Sequence, residues 1–150
     1  MIEVGATAPD FSLKDQNGKV VKLSSLKGKR VLLSFRPLAW TPVCHDQMRA
    51  LDEAYGKFEK LNAIALGIGV DSQFSNKAWA QSMNLKNTRL LADFWPHGEV
   101  SRAYGLFREQ DGFSERDNVL IDENQKVTFV KVYPTTELPD IDEVIKFLGG

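Results

Sequence analysis

The sequence predicts an α/β domain with a mixed central sheet, helices on its faces and a β-hairpin at the N-terminus. Three observations lead there. Two nearly continuous apolar runs, residues 31–35 (VLLSF) and 63–70 (AIALGIGV), read as buried strands. Between them, apolar residues recur at steps of three and four, the helical period. Near the C-terminus, two strand-like segments are joined by four polar residues and read as a second hairpin.

The elements follow in order. Phe11-Ser12-Leu13 and Val20-Val21-Lys22-Leu23 flank Asn17-Gly18, a turn pair that tolerates positive φ. Residues 31–35 make the first core strand. From about Pro42 to Leu61 the residues Val43, Met48, Leu51, Ala54, Tyr55, Phe58 and Leu61 mark an amphipathic helix. Pro42 suits its first turn and Thr41 its N-cap. Residues 63–70 make the second strand. Asp71 and Ser72 can cap a helix over about 73–84. A shorter helix over 98–104 is closed by Gly105. Residues 118–122 and 127–133 are strands joined at 123–126, and a last helix spans 140–148 with Gly149 beyond it. A helical crossover makes the strands at 31–35 and 63–70 parallel. No repeat or flexible linker interrupts the chain, so residues 1–150 are read as one domain. The order fits a thioredoxin-like fold carrying an N-terminal hairpin.

Composition removes several function classes. The net charge is -1 with no run of like charge, so nucleic acid and anionic membrane surfaces are poor partners. The longest apolar runs fall short of a membrane span. The start, MIEVGATAPDF, lacks the basic and apolar regions of a signal peptide. A single cysteine makes no intramolecular disulfide, and the cytoplasm is the expected location. His45 and His97 have no cysteine or carboxylate cluster at ligand spacing, so no metal is expected. Gly67-x-Gly69 lacks a third glycine and lies inside a strand, so no dinucleotide is expected, and no other cofactor is implied.

The lone cysteine stands in FRPLAWTPVCHDQ, residues 35–47. Taken alone, a single cysteine is most often a small buried apolar residue, and Thr41-Pro42 a plain helix cap. Its position suggests more. If the helix begins near residue 42, Cys44 lies in the first turn, where free N–H groups and the positive dipole end face the sulfur. Thiolate nucleophilicity falls as a thiol becomes more acidic, so acidity alone gives little rate. A fast reaction needs groups that stabilise charge as it develops. Thr41 offers a hydroxyl. Pro37 and Pro42 stiffen the turn, and the N–H groups of Val43 and Cys44 remain free. An arginine from elsewhere would complete the site.

At these residues the sequence resembles the peroxiredoxins, the alkyl hydroperoxide reductase C/thiol-specific antioxidant family. Their signature Pro-x-x-x-Thr-x-x-Cys is met by Pro37, Thr41 and Cys44. VGATAPDFSLKDQNGK, LLADFWPHGEVSRAYGLF and SERDNVLID resemble flanking segments of the family, in the same order. The length, the single cysteine and DFWPHG look most like the one-cysteine alkyl hydroperoxide reductase E type. The resemblance implies that Cys44 attacks a peroxide and becomes a sulfenic acid. It implies that Thr41 and Arg116 align the peroxide, that Pro37 shields the sulfenic acid and that Gln47 holds Arg116. With no second cysteine, an outside thiol must resolve the sulfenic acid, either a low-molecular-weight thiol or a thioredoxin- or glutaredoxin-like protein. The family's dimer contacts suggest a homodimer through the active-site face, involving Trp40, Phe94 and Trp95. They are otherwise core aromatics, as Trp79 is. Three positions depart from the family: Arg36 for an aromatic, Gln47 for glutamate or threonine, and Asn118 for threonine or serine. A thioredoxin-like disulfide oxidoreductase would need a second cysteine where Gln47 stands. A non-catalytic redox sensor or chaperone is the alternative from another class.

Overall fold

In the computed structural model, which describes residues 1–150, the N-terminal hairpin pairs β1 (Ser12–Lys14) with β2 (Val20–Lys22) antiparallel. Asp15 shapes the turn, its Oδ1 accepting from the N–H groups of Asn17 at 2.8 Å and Lys19 at 3.0 Å. Gly18 sits there at φ +79°, a value that favours glycine. The hairpin is a sheet of its own.

The chain then enters β3 (Arg30–Phe35), crosses through α1 (Pro42–Glu53) and α2 (Tyr55–Lys60), and returns parallel to β3 as β4 (Ala63–Gly69). Next come α3 (Gln73–Ser82), a parallel β5 (Arg89–Ala92) and α4 (Glu99–Ala103). A small hairpin of β6 (Phe107–Arg108) and β7 (Phe113–Ser114) leads into β8 (Arg116–Ile121). β9 (Val127–Tyr133) and α5 (Ile141–Phe147) complete the chain. The five-stranded sheet runs β5-β4-β3-β8-β9, with β8 antiparallel to both neighbours. It is mixed, as expected, and β3 is its middle strand.

Alternation along β3 divides the core in two. Val31, Leu33 and Phe35 pack with Tyr104 of the α4 turn and with Phe11, Val21 and Leu23 of the hairpin region. Leu32 faces the other way, into a cluster of Cys44, Met48, Leu51, Phe58, Trp79 and Val144 from α1, α2, α3 and α5. The glycines of Gly67-x-Gly69 answer to this second layer. A Cβ at Gly67 would collide with the Met48 sulfur, and one at Gly69 with the Arg36 guanidinium.

Several expectations need correction. The helix expected over 42–61 is two helices. Ala54, at φ −88° and ψ 2°, leaves helical geometry, and Gly56, a weak helix former, offers little to resist the break. The helix over 73–84 stops at Ser82, and Asn84 turns the chain at φ +57°. The strand expected from 118 begins at Arg116. β5 was not expected as an element, and neither was the β6–β7 hairpin. β5 is placed by Asp52 at the end of α1, whose carboxylate accepts from the N–H groups of Lys86, Asn87 and Thr88 at 2.8–3.0 Å. Burial pushes the Asp52 carboxyl up, but those donors outweigh it and hold the group below its ordinary value.

β8 also holds a carboxyl in the opposite state. Asp117 is fully buried, and neither of its oxygens has a hydrogen-bond partner. Burial, with the Glu115 charge adding to it, pushes its pKa well above the ordinary value. The folded chain therefore keeps this proton to higher pH than the unfolded chain. The contribution is present in full below the unfolded pKa of about 3.9 and is lost as pH rises towards the folded value. Asp117→Asn has no such titration. Its denaturant midpoint is expected to gain on the parent's as pH rises above about 4. A midpoint difference that stays flat between about pH 4 and 8 would contradict the assignment.

Candidate active site

β3 ends at Phe35 and α1 begins at Pro42, so residues 36–41 form a loop at the end of the middle strand, where α/β sheets commonly bind ligands. Pro42 is the first helical residue and Thr41 the N-cap. The first bond of the α1 ladder is His45 N–H to Thr41 C=O at 2.9 Å. The N–H groups of Val43 and Cys44 precede it and stay outside the ladder. Thr41 does not cap with its side chain. Its Oγ1 donates to the Leu38 carbonyl at 2.9 Å instead.

Cys44 is fully buried, and Arg116 reaches it from the first residue of β8. Arg116 Nη1 donates to Cys44 Sγ at 3.1 Å and to Gln47 Oε1 at 2.8 Å. Its Nε and Nη2 both donate to the Thr135 carbonyl, at 3.0 and 2.8 Å. A guanidinium has five N–H donors, so these four contacts leave one Nη2 N–H unengaged. Gln47, one turn after Cys44 on α1, is itself anchored. Its Nε2 donates to Ser34 Oγ at 2.7 Å and to the Phe35 carbonyl at 3.0 Å. Ser34 passes its own proton to Asn118 Oδ1 at 2.8 Å. Orientation thus runs from the β3–β8 pair through Gln47 to Arg116. Asn118, unlike threonine or serine, supplies a carbonyl oxygen to that chain.

Beside Arg116 lies an open pocket of about 370 Å³ lined by Pro37, Thr41, Val43, Arg108, Arg116 and Thr135, among others. The structure therefore brings together Cys44, Thr41, Pro37, Val43, Arg116 and Gln47, the residues singled out in the sequence. Three further arginines are engaged elsewhere: Arg89 with Asp15, Arg102 with Glu109, and Arg108, at the pocket wall, with Asp111.

Arg36 does not line the pocket. It has no exposed surface and lies across β4, where Gly69 leaves room for it. Nη1 donates to Asp71 Oδ2 at 3.0 Å and Nη2 to Asn76 Oδ1 at 2.7 Å, with the guanidinium carbon 4.8 Å from the Trp79 ring centre. Burial pulls the Arg36 pKa down from its ordinary value, and Asp71 and Cys44 pull against it.

Sequence reasoning missed Ser34, Asp71 and Thr135. Thr135 acts through its backbone carbonyl, which leaves no trace in side-chain chemistry. Ser34 carried a usable signal: a hydroxyl inside an apolar strand must find partners. Asp71 was expected as a helix cap. Ser72 takes that role, accepting from Ser75 N–H at 3.2 Å, and Asp71 turns towards Arg36.

The AhpC/TSA family model matches residues 4–130. Alkyl hydroperoxide reductase E of Mycobacterium tuberculosis is 41% identical over 141 residues, covering 93% of this chain and 92% of that protein. Peroxiredoxin 2 of Thermoplasma acidophilum is 35% identical over 150 residues, covering 97% of this chain and 74% of that one. Among solved structures, the reduced 2-Cys peroxiredoxin of Plasmodium vivax superposes with a TM-score of 0.88 at 30% identity, covering 97% of this chain and 80% of that chain. Set beside a cysteine in the first turn of α1 with an arginine on its sulfur, these matches establish that the chain belongs to the AhpC/TSA family of peroxiredoxins.

Proposed function

We propose that Cys44, Thr41, Arg116 and Pro37 carry out a thiol-dependent reduction of hydrogen peroxide and organic hydroperoxides, with Gln47 and Val43 in support. One observation carries this reading. Arg116 rests on the Cys44 sulfur at 3.1 Å and keeps one donor unengaged in the pocket that Thr41 also lines. A permanent cation at that place can follow charge as it moves off the sulfur, and the remaining N–H can meet a peroxide oxygen. The names of the relatives, alkyl hydroperoxide reductase and peroxiredoxin, point to the same chemistry.

The thiolate lone pair attacks the hydroxyl-bearing oxygen of the peroxide in line with the O–O bond. An S–O bond forms and the O–O bond breaks, its electron pair leaving on the other oxygen. That oxygen departs as alkoxide or hydroxide and takes a proton from water. Cys44 is left as a sulfenic acid, oxidised by two electrons. Negative charge moves from sulfur to the leaving oxygen, and the Arg116 fork spans both. The free N–H groups of Val43 and Cys44 face the same region. Pro37, on the pocket wall, shields the sulfenic acid.

The chain has one cysteine, so reduction needs an outside thiol. A first thiol attacks the sulfenic sulfur, forming a mixed disulfide and releasing water. A second thiol attacks that disulfide and frees Cys44. The reductant is a low-molecular-weight thiol or a thioredoxin- or glutaredoxin-like protein. No helix is long and apolar enough to cross a membrane. The balanced charge and single cysteine support a cytoplasmic protein of one domain over residues 1–150, with no nucleic acid partner.

A second copy of the chain supplies the cover that the active-site face lacks. Trp40, Phe74, Phe94 and Trp95 are 50–82% exposed. Leu13, Phe74, Phe94 and Trp95 help line a hollow of about 440 Å³, and Trp40 Nε1 donates to Ser75 Oγ beside it. Such an aromatic surface suits a homodimer through this face.

Rapid mixing with hydrogen peroxide, followed by tryptophan fluorescence, tests the assignment. Cys44→Ser should abolish the reaction, and Arg116→Ala should slow it roughly 10²–10³-fold. Gln47→Leu should cost less, since Thr135 still holds the guanidinium. A parent rate no better than that of free cysteine would leave the sensor or chaperone reading in its place. For the assembly, Trp95→Glu should halve the mass in sedimentation. A parent that already sediments as a monomer at micromolar concentration would rule out the dimer.

A further inference from the structure

Asp71 and Arg36 lie outside the pocket, yet they connect to Thr41 through a single peptide group. Asp71 Oδ2 accepts from Arg36 Nη1 at 3.0 Å and from the Ala39 N–H at 2.8 Å. The Ala39 N–H and the Leu38 C=O belong to one planar trans peptide, so the direction of the first determines that of the second. The Leu38 C=O accepts from Thr41 Oγ1 at 2.9 Å. A threonine hydroxyl has one proton. With that proton committed to Leu38, the oxygen presents only lone pairs to the pocket. A peroxide meets it as an acceptor and donates its own O–H.

We propose that the buried Arg36–Asp71 pair is a positioning device for the peroxidase reaction, setting the Leu38–Ala39 peptide and through it the direction of the Thr41 hydroxyl. The geometry around the pair fits that task. Arg36 has no exposed surface, and Asn76 and the Trp79 ring hold its far end. Gly69 is the space that lets it lie flat. Asp71 keeps 16% of its side-chain surface exposed, and without Arg36 its carboxylate could turn to water. An ion pair with one partner fully buried adds little net stability over apolar residues of the same volume. Here it fixes the orientation of a neighbouring acceptor.

The inference rests on the role assigned to Thr41, and a double-mutant cycle separates the two. The full chain is mixed rapidly with hydrogen peroxide and Cys44 oxidation is followed by tryptophan fluorescence. Thr41→Val alone should be strongly slowed. Asp71→Ala should slow the parent about tenfold, the size of one oriented hydrogen bond. In the Thr41→Val background the same change should alter the rate less than about twofold, because the hydroxyl it directs is gone. Asp71→Asn retains an acceptor for Ala39 and should recover most of the rate. Arg36→Met should slow the parent and spare Thr41→Val in the same pattern, which keeps the test alive if Asp71→Ala fails to fold. Equal slowing in both backgrounds by either change overturns the relay and leaves Thr41 in place. A Thr41→Val protein as fast as the parent overturns both.

Discussion

The Arg116 guanidinium is the contact on which the site depends, because it joins three segments that are far apart in sequence. It stands on the first residue of β8, touches Cys44 and Gln47 on α1, and is held by Thr135 beyond β9. Each contact removes a freedom. Thr135 takes two donors on one edge of the fork and sets its tilt. Gln47 takes one on the other edge and sets its rotation. What remains is a contact to sulfur and one open donor, which is a geometry rather than a mere charge. A lysine at the same place would supply the charge without the fork.

Two arginines flank the loop over residues 36–41, and their surroundings give them opposite work. Arg116 has the pocket on one side and a sulfur as a partner. Arg36 has a carboxylate, an amide and an indole, and no route to solvent. Both lie in the same layer, since Arg36 follows Leu32 and Ser34 on one face of β3. The sheet thus brings positive charge close to Cys44 from two directions. Only one of the charges can touch a substrate. The other is largely neutralised by Asp71, and its effect reaches the site through the loop's backbone.

How much of this was legible in the sequence depends on whether the information was local. The buried strands at 31–35 and 63–70, the helix start at Pro42 and the turn at Asn17-Gly18 were readable because a few adjacent residues specify each. The break at Ala54 was not, because the apolar period continues through it. β5 is only four residues long, and a distant carboxylate, Asp52, organises the backbone just before it. Thr41, Val43 and Cys44 were legible because they share one loop and one helical turn, while the roles of Pro37 and Gln47 came from the resemblance. Arg116 came from a resemblance, since no spacing ties a residue 72 positions away to a cysteine. Asp71 and Thr135 were out of reach for different reasons. One exchanged a cap for an ion pair, and the other acts through a carbonyl that every residue carries.

The closed site also orders the two halves of the reaction by size. Cys44 has no exposed surface, and a ring that includes Pro37, Thr41 and Arg116 lines the pocket beside it. A peroxide presents two oxygens in a row and can be met where it lies by the groups that line the ring. A thiol brings a larger sulfur on a carbon stem, and it must reach the Cys44 sulfur opposite the bond being broken. A thiol therefore asks for more room at the sulfur than a peroxide does. The loop is tied to the rest of the chain by the Arg36 N–H to the Ile68 carbonyl at 2.9 Å, Ser114 Oγ to the Arg36 carbonyl at 3.1 Å, the Arg36 guanidinium to Asp71 and Asn76, Ala39 to Asp71 and Trp40 to Ser75. All of these lie on the loop rather than on α1. The loop's anchors are thus separate from those of Gln47 and Arg116, which Ser34, Phe35 and Thr135 hold.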